Sequence, residues 1–142
     1  MASAEELLAQ ARTELATRCD AVEEAYEFML AYAGQGLASD TGSAKGTQVR
    51  EFLGKAEQAL GALVSFTAGF ADHAGVAGLA PYAAFMQVIQ RDAAAARAAV
   101  GLVQIQGAIS SQVIDNLNAS IHLRALLTDL FLIDEVLKGH KG

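Results

Sequence analysis

Apolar side chains return every seven positions at the start of the chain, at Leu8, Leu15, Val22 and Met29, with Ala11, Cys19, Tyr26 and Ala33 beside them. This spacing lines one face of a helix about eight turns long. The opening SAEE supports a start near residue 4, because Ser3 can cap the first turn while Glu6 reaches back to it. The GQG at 34–36 interrupts the stripe, so the first helix is expected over 4–33.

Residues 34–46 carry Gly, Ser and Asp without an apolar period and read as a flexible loop. The TGSAKGT within it departs from a phosphate-binding loop, which needs four residues between its first Gly and an adjacent Gly-Lys, and a strand in front. Beyond it, Val49, Phe52, Leu53, Ala56, Leu60, Leu63, Thr67 and Phe70 share a face and predict a second helix over 48–70, capped by Thr47. Gly54 and Gly61 fall on nearly one line of this helix. Each costs about 1 kcal/mol relative to alanine, so the pair points to close approach by a neighbouring helix.

Pro81 suits the first turn of a third helix over 81–105, with Phe85, Val88, Ile89, Ala96, Val100 and Val103 facing inward. Gly107 ends it, and Ser110 or Ser111 caps a fourth helix over 111–137. No segment requires a strand. Four amphipathic helices in series predict an all-α fold, an up-down-up-down four-helix bundle forming one domain over 1–142.

Composition then narrows what such a bundle does. The chain is 53% hydrophobic and 18% charged, more apolar than a typical soluble domain, which leaves surface to spare for a partner chain. Its formal net charge of −6 provides no basic surface to neutralise phosphates, so nucleic acid is excluded as a partner. A lone cysteine rules out an intrachain disulfide and a multi-cysteine metal site, and fits a reducing compartment. There is no basic leader followed by an apolar run, and Arg124 and Asp129 interrupt the most apolar window, so the expectation is a cytoplasmic chain without membrane insertion.

One constellation carries possible chemistry. At about 100° per residue, Asp115, Asn118, His122 and Asp129 fall within an arc of roughly 60° on the fourth helix. Ile114, Ile121 and Leu132 flank that line on one side, and Leu123, Leu126, Leu130 and Leu137 on the other. A polar seam between apolar stripes is a candidate ligand site formed by those four residues, because buried polar groups need partners. A weaker candidate is a metal site in which Glu23 and Glu27 of the first helix join His122 and Asp129. The Glu-x-x-His pattern of di-iron bundles is missing, and no catalytic residue or cofactor is assigned. Cys19 reads as a small hydrophobe. Tyr26, Tyr32, Tyr82, Phe85, Met29 and Met86 read as core.

The fourth helix carries more apolar positions than one bundle face needs. The function expected from this is that of a non-catalytic accessory or interaction protein, self-associating as a homodimer through Leu123, Leu126, Leu127, Leu130 and Phe131. The alternative is a small-molecule-binding bundle, metal-binding or enzymatic, with its polar pocket around His122.

Overall fold

Serines cap the starts of three of the helices into which the chain folds. The computed structural model describes residues 3–139 and contains α1 (Ala4–Ala33), α2 (Ala44–Ala71), α3 (Ala80–Gln104), α4 (Ser111–Ala119) and α5 (Ile121–Gly139), with no strand among the described residues. The fold is all-α. Ser3 accepts a hydrogen bond from the Glu6 N–H at 3.2 Å, and Ser110 accepts one from Val113 at 3.1 Å, so α1 and α4 begin on serine caps. Pro81 occupies the first turn of α3.

Two expectations about helix ends are corrected. First, α2 starts at Ala44 because Ser43, rather than Thr47, is its cap: the Ser43 hydroxyl accepts from the Gly46 N–H at 2.9 Å. Thr47 lies inside the first turn, where its hydroxyl donates to the Ser43 carbonyl at 3.2 Å. Second, the expected fourth helix is two helices. Ser120 leaves helical geometry with φ −56° and ψ 130°. Its N–H donates to the Leu117 carbonyl at 3.0 Å, closing α4, and its hydroxyl accepts from His122 N–H at 3.3 Å, opening α5. The Asn118-Ala119-Ser120 segment supplies side chains that compete with the helical backbone for hydrogen bonds, which is why the break falls there.

The helices pack as a ring. The most extensive pairing is α2 with α3, then α1 with α2, and the ring is closed by α5 on α3 and by α4 and α5 on α1. Among the described residues, α1 does not pack directly on α3, nor α2 on α5. One hydrophobic core runs through the centre, with Leu15, Val22 and Met29 of α1, Leu53, Leu60 and Leu63 of α2, Met86, Ile89 and Val100 of α3, Ile114 of α4 and Leu126 of α5. Phe52 lies at its edge, where its ring stacks on Phe28 with centroids 4.3 Å apart. The two interior glycines of α2 differ. A Cβ on Gly61 would come within 2.9 Å of Cζ of Arg97, whose guanidinium crosses from α3, whereas nothing approaches Gly54 within 4 Å.

The loop between α1 and α2, expected to be flexible, is pinned by polar bonds to the connection between α3 and α4. Asp40 is buried, and its Oδ1 accepts from the Ile109 N–H at 2.8 Å while its Oδ2 accepts from Arg50 Nε at 2.6 Å. Arg50 also donates to the carbonyls of Gln104, Gln106 and Gly107 at 3.2, 2.8 and 3.3 Å. Ser111 donates its hydroxyl proton to the Tyr32 carbonyl at 2.7 Å and accepts from the Leu37 N–H at 2.9 Å. Tyr32 in turn donates its hydroxyl to the Ile109 carbonyl at 2.6 Å. These bonds satisfy carbonyls that the end of α3 leaves open and bind three chain segments into one end of the molecule.

Candidate functional site

The break at Ser120 decides the fate of the polar seam, because the regular helical rotation does not carry from Asp115 and Asn118 on α4 to His122 and Asp129 on α5. Asp115 and His122 are exposed, Asn118 is buried, and Asp129 is half-buried. Neither side-chain nitrogen nor oxygen of Asn118 has a hydrogen-bond partner. The expected pocket around His122 is therefore not formed from these four residues. The suggested metal site does not assemble either. Glu27 and His122 are exposed, and the Glu23 carboxylate accepts from the Cys19 thiol at 3.3 Å. Among the described residues, no three His, Cys, Asp or Glu side chains gather as a metal requires.

Asp129 instead meets a residue that sequence reasoning missed. Its carboxyl faces that of Asp92 on α3, and its Oδ2 is shut off from solvent without a hydrogen-bond partner. Burial first, then the facing Asp92 carboxyl and its like charge, push the Asp129 pKa up to about 7. Protonation of Asp129 removes both the cost of burying its charge and the repulsion from Asp92. A signal for Asp92 existed in the sequence. It lies in the half-buried row of α3 formed by Tyr82, Phe85, Val88, Asp92, Ala95 and Ala99, spaced three or four residues apart. An acidic residue within such a row faces a neighbouring helix rather than water.

Cys19 is half-buried on α1, and its pKa is pushed up to about 12, by burial first and then by the Glu23 hydrogen bond and the nearby carboxylates. At neutral pH it remains a thiol, which is a poor nucleophile.

The apolar surface of α5 is distributed differently from the expected interface. Leu123, Leu126, Leu127 and Leu130 are at most 7% exposed, because they form the face that α5 turns to the core. A leucine used in that way has no surface left to offer a partner. Phe131, by contrast, is 55% exposed, and Ile121, Leu132 and Val136 are exposed with it. Beside this row lies an apolar groove of about 380 Å³, lined by Pro81, Tyr82 and Phe85 of α3 and by Leu132, Ile133 and Val136 of α5. The apolar surface that α5 leaves exposed thus lies on its outer face and at its margin with α3, and Leu30, Leu102 and Ile105 are exposed elsewhere.

Among the described residues, no helix is long and apolar enough to cross a membrane. Compared with known proteins, the chain matches no family model, no curated protein and no solved structure.

Proposed function

We propose that the protein is a non-catalytic interaction module that self-associates as a homodimer through the outer face of α5. Within this reading α4 and α5 together take the fourth place of an up-down-up-down bundle, and the chain forms one domain. The observation that carries the proposal is the exposure of Ile121, Phe131, Leu132 and Val136 on a single helix beside the apolar groove of α3. Isolated exposed apolar residues are ordinary, but four large exposed apolar side chains on one helix beside an apolar groove mark an interaction surface. A two-fold contact would bury each of these side chains twice, which is how a modest strip becomes an interface. The polar residues first considered for chemistry are dispersed between solvent, core and the Asp92 contact, which favours binding over catalysis.

Sedimentation equilibrium of the whole chain tests this reading. A reversible dimer in the micromolar range is expected, and Phe131→Glu or Leu132→Glu shifts it to monomer with unchanged far-UV circular dichroism. A wild-type chain that remains monomeric throughout that range overturns the proposal.

A further inference from the structure

We infer that the two copies meet with their α5 helices antiparallel, related by a two-fold axis between Thr128 and Phe131, so that Arg124 of each copy faces Glu135 of the other. The inference rests on the self-association proposed above and specifies the geometry of that contact.

The argument begins with the outer face of α5. Ile121, Arg124, Thr128, Phe131, Leu132 and Glu135 are all exposed. At about 100° per residue they occupy an arc of roughly 100°, so one flat partner can touch them all. Arg124 stands four residues before Thr128, and Glu135 four residues after Phe131. Any reversal that exchanges Thr128 with Phe131 therefore also exchanges Arg124 with Glu135. An antiparallel copy brings a cation opposite an anion twice, once at each end of the apolar contact.

Among the described residues, neither the Arg124 guanidinium nor the Glu135 carboxylate is held in an ion pair, and Glu135 acts on Lys138 only through its charge. Lys138, the next cation along α5, is already paired with Asp134 at 3.0 Å. A parallel arrangement would instead place Arg124 against Arg124 and Glu135 against Glu135. Charges at the rim of an interface contribute less to affinity than to orientation and register, and like charges placed opposite one another select against the wrong arrangement. The partner that fits this pattern is a second copy of the chain, because its own α5 carries the complementary charges at the matching spacing.

Charge reversal separates the alternatives. In a dimer of Arg124→Glu chains, two acidic residues face each other at both ends, and in a dimer of Glu135→Arg chains two arginines do. Each variant alone should dimerise at least about tenfold more weakly than wild type. In an equimolar mixture, a heterodimer of the two variants again sets an acidic residue of one chain opposite an arginine of the other at both ends. It should therefore form with near-wild-type affinity, counted by native mass spectrometry because the two chains differ in mass. Circular dichroism checks that both fold, which their exposed positions favour. If wild type dimerises but the single variants dimerise equally well, or the mixture shows no preference for the heterodimer, the antiparallel pairing is overturned and self-association stands. If wild type is monomeric at every concentration, the proposed function itself fails, and this geometry with it.

Discussion

Arg50 Nε donates to Asp40 Oδ2 at 2.6 Å, and the same guanidinium reaches three carbonyls at the last residue of α3 and just beyond it, while the other Asp40 oxygen holds the Ile109 N–H. Asp40 is thus one side chain that joins the first loop to both α2 and the α3–α4 connection. Asp40→Ala leaves the Ile109 N–H without its acceptor and Arg50 without its carboxylate, and should cost about 2 kcal/mol of unfolding free energy, since hydrogen bonds to charged groups fall in that range. Urea denaturation at pH 7 measures it, and a loss below about 0.5 kcal/mol, the scatter of ordinary surface substitutions, would contradict the role assigned here. The acid limb follows from the same contact. The Arg50 hydrogen bond first, then the Ile109 N–H, hold the Asp40 carboxyl below its ordinary value. Its contribution is therefore complete above the unfolded value, near pH 4, and is lost as pH falls through the lower folded one.

Asp129 has the opposite sign. Its folded pKa, about 7, lies above that of an unfolded aspartate, so between roughly pH 4 and 7 the folded state holds a proton that the unfolded state has released. Stability should fall as pH rises through that window and level off above it. Asn at position 129 cannot ionise, and its amide can donate to Asp92. The difference in unfolding free energy between Asp129→Asn and wild type should therefore grow in favour of the variant from about pH 4 to 8. A difference that stays flat over that range would show that Asp129 does not hold its proton towards neutral pH.

Two glycines of α2 should respond to alanine in opposite ways. A Cβ on Gly46 would run into the Asp40 backbone, which the bonds described above hold in place, so Gly46→Ala should destabilise by about 1 to 3 kcal/mol through overpacking. A Cβ on Gly61 meets only the far end of Arg97, whose side chain is 47% exposed and can swing aside. Helix propensity favours alanine there by about 1 kcal/mol, and the exposed Glu57–Arg97 pair at 2.6 Å is worth no more than that. Gly61→Ala should therefore be neutral or mildly stabilising. Equal losses at the two positions, read by thermal unfolding, would undo the distinction.

What the sequence disclosed and what it hid divide along the range of the interactions concerned. The stripe from Leu8 to Met29 is sampled over so many turns that its burial was legible, and Ser3, Pro81 and Ser110 act within a few residues of themselves. Thr47 was read as the cap of α2, whereas Ser43 one turn earlier takes that place, at a glycine, Gly46, whose backbone lies against that of Asp40. The Asp40 clasp joins residues about seventy positions apart, so no local pattern announces it. At Ser120 the difficulty was different. A serine tolerated inside a helix and a serine that ends one look alike in sequence, and a rotation of about 100° per residue, carried through the break, joined four residues that the structure separates. Within α5 the count of apolar positions alone did not separate the inner face from the outer one.

The inner and outer faces of α5 can be separated by experiment. Leu126 is fully buried and Phe131 is 55% exposed. Leu126→Ala removes packed methyl groups from the core and should cost about 2 to 5 kcal/mol of folding stability, with association weakened only as far as folding is. Phe131→Ala should change monomer stability by no more than about 0.5 kcal/mol, measured at a dilution where the chain is monomeric, because its ring lies outside the core. In the dimer proposed here that ring contacts the partner near the two-fold axis, where truncation of a large aromatic side chain weakens association by about tenfold or more. Denaturation and sedimentation on the same two variants therefore form a crossed test: Leu126 acts on folding and Phe131 on association. A Phe131→Ala chain that associates as wild type does would remove α5 from the interface, because the two-fold axis brings this ring from both copies into the centre of the contact.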